Sequence, residues 1–159
     1  MKTQEMKINL WFNNKAEEAV QFYTSVFKHS QINHTSYYNK EGHDIHGQPQ
    51  GKVMAVDFTL NNMNFIALNG GPEFQFNEAI SIVVLCETQK EIDYYWEKLT
   101  VEGSEGPCGW LTDKFGISWQ ITPKVLSKLL TESSREKAKR VTAAFMKMKK
   151  LEIDTLVHA

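Results

Sequence analysis

No apolar run in the sequence approaches the ~18 residues that a membrane-spanning helix needs, so no membrane partner is expected. The first residues, MKTQEMK, carry charge with no apolar stretch behind it, and no signal peptide is expected. Cysteine is scarce. Cys86 and Cys108 are the only two, and neither sits in a CxxC or CxxxH setting. That pattern fits reduced thiols in a cytoplasmic protein rather than a disulfide framework or a zinc knuckle. An excess of one charge is also missing. Eighteen basic residues face 19 acidic ones, a net charge of −1, whereas a dedicated nucleic-acid binder is strongly basic. No G-x-G-x-x-G fingerprint occurs; Gly70-Gly71-Pro72 ends a strand pair and opens no helix.

What is present is enough for one compact domain. The chain has 159 residues, 42% of them apolar, and a chain of this length can bury roughly two thirds of its unfolded surface. Helical periodicity is clear in three places. Ala16, Ala19, Val20, Tyr23 and Phe27 share one face of a helix over 15–28, with Asn14 and Glu17 at capping-box spacing. Ile92, Tyr95, Trp96 and Leu99 form a stripe over 89–99, introduced by Thr88 and Glu91 in the same spacing. Ala138, Val141, Phe145 and Met148 do so over 134–148, after Ser133 and Glu136. A short helix or turn over Lys124–Leu130 follows Pro123, which suits a first helical position.

Strands show period-2 alternation, the sign of a sheet with one packed and one wet face. Ile8, Leu10 and Phe12 alternate with Lys7, Asn9 and Trp11. Met54, Val56, Phe58 and Leu60 alternate with Ala55, Asp57 and Thr59. Ile117, Trp119 and Ile121 alternate with Ser118, Gln120 and Thr122. Ile80–Cys86 is more apolar throughout and reads as a more central strand. Asn61–Asn62 or Asn62–Met63 turns a hairpin between Val53–Leu60 and Phe65–Asn69, and Asp113–Gly116 turns a second, with Gly116 free to take a positive φ. Asn39–Gly51 is polar and aperiodic and reads as a long loop. The basic residues after position 134 lie mostly off the apolar stripe and read as a solvated helix face.

The chain repeats itself. A strand, a helix bearing Phe22-Tyr23, a long strand and a hairpin are followed by a strand, a helix bearing Tyr95-Trp96 and another hairpin. Two such halves predict an α+β fold of two βαβββ modules forming a curved, mostly antiparallel sheet, helices on the convex face and a C-terminal helix. Module one spans about 6–72, module two about 78–123, and C-terminal helices about 124–150. The stretch from Leu10 to Tyr23 (LWFNNKAEEAVQFY) and the hairpin from Asp113 to Ile121 (DKFGISWQI) carry a family likeness. They resemble the vicinal oxygen chelate superfamily of glyoxalase I, bleomycin-resistance proteins and extradiol dioxygenases, in its PhnB-like branch. Phe65–Pro72 and Gly106–Trp110 resemble that branch too. The closing hairpin departs from the family's D-x-x-G-x-x-x-E-L by having Gln120 for Glu and Ile121 for Leu.

The resemblance implies a cup that, in catalytic members, holds a divalent metal through two ligands from each half. The matching positions here are Lys7 or Ile8, then Ile66, Ala67 or Leu68, then Ser81, then Gln120. Only Gln120 is a competent ligand, whereas a catalytic metal needs about three protein groups. No metal and no other cofactor is therefore expected. His43 and His46 stand in the long loop as an H-x-x-H without a third ligand and read as exposed loop histidines; His29 and His34 flank the end of the first helix, where His29 suits contact with the helix C-terminus. His158 falls in a tail expected to be disordered. Asp57 is the one carboxylate on a cup face, and desolvation could raise its pKa and make it a general base. Cys108 could be a nucleophile, but no histidine partner is evident. Trp11 on the wet face suits either stacking of a planar ligand or packing in a dimer. Asn9, Thr59, Ser118, Gln120 and Thr122 would supply hydrogen bonds to a ligand.

Members of the branch often bear a methyltransferase label tied to demethylubiquinone, which these residues do not support. Three readings result: a metal-independent small-molecule-binding protein, commonly a homodimer among the proteins it resembles; an enzyme of lyase, isomerase or dioxygenase type with an atypical site; and a resistance protein that sequesters its ligand.

Overall fold

A computed structural model describes residues 3–159; Met1 and Lys2, part of the N-terminal stretch read above, lie outside them. The chain divides into two compact units, one ending at Gln75 and the other spanning Phe76–Ala159. Each contains a βαβββ module.

The first module runs β1 (Ile8–Phe12), α1 (Ala16–Val26), β2 (Ser30–Tyr37), α2 (His43–His46), β3 (Val53–Leu60) and β4 (Met63–Asn69). Its strands form a sheet in the order β1-β4-β3-β2, with β1 parallel to β4 and the other pairs antiparallel. The predicted alternation holds: Leu10, Phe12, Val56, Phe58, Leu60 and Phe65 are buried beneath α1, whose Ala16, Ala19, Val20, Tyr23 and Val26 face them. Asn61 and Asn62 both take positive φ, 45° and 67°. The β3–β4 turn is therefore the two-residue primed type that matches strand twist, and Asn tolerates it well. The long loop is not wholly irregular, because α2 forms within it between Gly42 and Gly47, both left-handed.

The start of α1 differs from the expected cap. Asn14 sits at φ 59°, and its side-chain oxygen receives the Lys52 ammonium at 2.5 Å. The acceptor for the first helical N–H comes instead from β4: Ala16 N donates to Asn69 Oδ1 at 2.9 Å. Asn69 is 1% exposed. Its amide also donates to Glu17 Oε2 (2.5 Å) and to the Val53 carbonyl (3.1 Å), while its own carbonyl accepts the Tyr38 hydroxyl at 2.7 Å.

The second unit repeats the plan: β5 (Ile82–Cys86), α3 (Gln89–Leu99), β6 (Ser104–Glu105), β7 (Trp110–Thr112) and β8 (Ser118–Pro123). The order β5-β8-β7-β6 mirrors that of the first sheet, again with one parallel and two antiparallel pairs. The capping box of α3 is complete, with both Thr88 and Glu91 reaching the other's backbone N–H. Strand β5 is not central, as its apolar composition suggested. It lies at the end of its sheet's order, with Val83 and Leu85 47% and 58% exposed.

Three helices follow: α4 (Lys124–Thr131), α5 (Arg135–Phe145) and α6 (Ile153–Val157). Pro123 takes the N-cap of α4 rather than its first turn. Helix α5 is shorter than the predicted 134–148 and is capped one residue late, by Ser134 accepting from Lys137 N at 3.2 Å. The tail is not disordered. Leu151 and Leu156 are buried with Leu126, Leu129 and Val141, and this cluster orders the last turn, where His158 Nδ1 meets the Asp154 carbonyl at 2.8 Å.

Candidate functional site

Register places four of the candidate residues on one face of the first sheet. Asn9, Ile66, Asp57 and His34 lie in one row across β1, β4, β3 and β2, and Trp11, Leu68, Ala55 and Ser36 in the next. Asn9 is exposed. Asp57 is tied down on both oxygens: Lys7 Nζ meets Oδ2 at 2.5 Å and Asn33 Nδ2 donates to Oδ1 at 2.9 Å. Asn33 also reaches Thr59 Oγ1 at 3.0 Å, and Thr59 in turn donates to Asn64 Oδ1. These partners reverse the expected shift. The Asn33 hydrogen bond, followed by Lys7, holds the Asp57 carboxyl below its ordinary value and outweighs desolvation. An ionised carboxylate with both oxygens engaged is a poor general base.

Trp11 has its own packing partners. Its indole N–H donates to the Gly71 carbonyl at 3.0 Å, and Phe74 stands edge-on at 5.0 Å between ring centroids. A side chain at Gly70 would place Cβ 2.3 Å from the indole carbons, so glycine at this position lets the ring lie against the backbone. The stability of an aromatic side chain on this face is thus explained within the module.

On the second sheet, Ser118, Gln120 and Thr122 share a face, as predicted. Ser118 is not wet, however. It is 3% exposed, and its buried hydroxyl finds no hydrogen-bond partner among the described residues. Gln120 Nε2 donates to Ser81 Oγ at 2.8 Å. Beside Gln120 across the β7–β8 pair stands Trp110, and beside Ser118 stands Thr112, whose own partner on β6 is Ser104.

Trp110 and Thr112 open onto a cavity of about 460 Å³, walled further by Glu78, Ser104, Glu105, Gly106, Pro107 and Leu111. Sequence reasoning missed this wall. The available signal was the pair Trp110 and Thr112 on either side of buried Leu111, a strand of only three residues.

The lip of the cavity is held from several sides. Gly106 N donates to the Trp110 carbonyl (2.8 Å), while Cys108 N and Gly109 N both donate at 2.7 Å, to the Met148 and Lys149 carbonyls. Gly109 is left-handed (φ 84°), and a Cβ there would fall 2.8 Å from the Ile121 carbonyl. Glu105 accepts the Trp96 indole N–H at 3.0 Å and faces Lys149 Nζ at 3.4 Å. Those two groups, the indole first, hold its carboxyl below the usual range. Cys108 Sγ lies 3.8 Å from Met146 Sδ, and no histidine or carboxylate bonds it among the described residues.

Of the loop histidines, His43 is exposed and His46 half-buried. His46 Nδ1 accepts from Gln48 N at 3.0 Å, and its ring packs on Tyr38 with 4.5 Å between centroids. His43 Nδ1 meets the Gln48 carbonyl at 3.0 Å. Among the described residues no group of three or more His, Cys, Asp or Glu is arranged to hold a metal ion. The family's ligand positions carry an ammonium already paired with Asp57, aliphatic chains, a hydroxyl and an amide bonded to it. That donor set does not fit a divalent metal.

Comparison with known proteins agrees with this architecture. A PhnB protein from Bacillus cereus is 37% identical, with a TM-score of 0.64, covering 76% of this chain and 99% of that one. Protein PA1353 from Pseudomonas aeruginosa (17% identical, TM-score 0.61, 76% and 98% covered) shares the fold. So does the fosfomycin resistance protein FosX from Listeria monocytogenes (12% identical, TM-score 0.57, 80% and 97% covered). No curated protein matches the chain. The sequence model of the 3-demethylubiquinone-9 3-methyltransferase family matches residues 4–122, stopping before α4, α5 and α6. With both modules inside that match, the chain belongs to this PhnB-like family of the glyoxalase, or vicinal oxygen chelate, superfamily.

Proposed function

We propose that the protein binds a small organic molecule on the second module, against Trp110, and does so without a catalytic metal. The cavity beside Trp110 carries this reading. Its volume of about 460 Å³ falls in the range of ligand pockets, and it joins an aromatic wall to a few polar groups. A homodimer in the cytoplasm is part of the same proposal. Cys86 and Cys108 are both free thiols, in keeping with a reducing compartment. No transferred reaction is proposed. Asp57, the candidate base, is paired and ionised. The family's methyltransferase name also lacks a counterpart here, because paired βαβββ modules contain no doubly wound parallel sheet with a glycine-rich cofactor turn.

Ligand-observed NMR with a fragment library tests the reading. Aromatic fragments should bind to the native protein and lose most of their signal change in Trp110→Ala, with far-ultraviolet circular dichroism confirming the fold. Fragments that bind the variant and the native protein equally would remove Trp110 from the site.

A further inference from the structure

The charge of the cavity narrows what it can hold. Its walls include two carboxylates, Glu78 and Glu105, and no cationic side chain. Lys149, an exposed residue outside the lining, faces Glu105 Oε2 at 3.4 Å and offsets one negative charge. Glu78 has no ion pair among the described residues, so one negative charge is left at the rim. Trp110 supplies an indole face, the best of the aromatic surfaces for a cation. Ser104 and Thr112 add hydroxyl oxygens that can accept from N–H groups.

Each alternative meets a cost. An anionic ligand is repelled by the unpaired Glu78 carboxylate. A neutral one leaves the exposed Glu78 carboxylate without an opposite charge.

We propose that the Trp110 cavity takes a flat organic monocation: an ammonium or amidinium group directed at Glu78, on an apolar body lying against Trp110. This rests on the proposed binding role and names its ligand class. The attraction is electrostatic and partly exposed, so affinity falls as salt is raised.

The test is a matched series of probes titrated calorimetrically into the full chain: 1-naphthylmethylamine, 1-naphthylmethanol and 1-naphthoate. The amine should bind about tenfold more tightly than the alcohol, from one exposed ion pair plus one cation–π contact, and the naphthoate most weakly. In Glu78→Gln, a surface change that leaves the fold intact, most of the amine's advantage should vanish while the alcohol's affinity stays the same. Equal binding of amine and alcohol, or preference for naphthoate, would overturn the cation assignment and leave the binding role standing. An amine preference that survives Glu78→Gln would overturn the role given to Glu78. If none of the three binds, both the assignment and the binding role fall.

Discussion

Replacing Asn69 by alanine removes the group on which the first module's helix start depends. Asn69 Oδ1 is the acceptor for the N–H of Ala16, a residue with no exposed surface, so the variant leaves a buried donor unpaired. Loss of a cap costs about 1 kcal/mol, and an orphaned buried N–H about 1–3 kcal/mol. These overlap, and the freed Val53 carbonyl adds a smaller share. A total of about 1.5–3.5 kcal/mol is expected, a large part of the 5–15 kcal/mol typical of a domain.

A double-mutant cycle sharpens the test. Asn69→Asp keeps the acceptor but sets a carboxylate against Glu17 Oε2, which now sits 2.5 Å from the Asn69 amide nitrogen. It should destabilise the protein, and Glu17→Gln should restore at least about 1 kcal/mol, because a glutamine amide can donate to the new carboxylate. Urea unfolding followed by circular dichroism reads both effects. Asn69→Ala within about 0.5 kcal/mol of the native protein, or strict additivity of Asn69→Asp with Glu17→Gln, would refute the reasoning.

Other outcomes are equally specific. Ser118→Ala removes a buried hydroxyl that has no partner among the described residues; thermal unfolding should show unchanged or raised stability, by up to about 1 kcal/mol, and a loss larger than that would contradict an unpaired hydroxyl. The Asp57 carboxyl has a lowered folded-state pKa, so its stabilisation is present above the unfolded value near pH 4 and is lost as pH falls through the folded value. Asp57→Asn should therefore flatten the acid limb of stability against pH, on top of similar contributions from Asp93 and Glu105, and an unaltered limb would contradict the pairing. Burial pushes the Cys86 thiol up to about 12, so a disulfide reagent at pH 8 should titrate Cys108 alone until denaturant is added. Rapid reaction of both thiols in the native protein would contradict the burial.

The parts of the fold legible in the sequence are those fixed by short-range pattern. The stripe of α3 and its Thr88–Glu91 box lie within one helix and needed no tertiary information, and the alternation of β1, β3 and β8 assigned their buried faces correctly. The cap of α1 could not be read, because its acceptor, Asn69, arrives from a strand 53 residues away. Strand β5 was misread because continuous apolarity marks either a doubly buried strand or one with an uncovered apolar face, and composition does not separate them. The direction of the Asp57 shift depends on Lys7, just before β1, and on Asn33, at the irregularity between Ile32 and His34 of β2, and only the tertiary fold brings either to it. Trp110 carries part of the family likeness but does not read as a site residue, because three residues of β7 are too few to show a period, yet the β7–β8 register sets it beside Gln120.

The most direct measurement is an amide and indole correlation spectrum of labelled protein during titration with 1-naphthylmethylamine. If the second module holds the ligand site, the Trp110 indole and the amides of Gly106 and Thr112 shift first and saturate together, while the Trp11 indole stays in place. Shifts confined to Trp11 and its neighbours, or none at saturating amine, would contradict a site at Trp110.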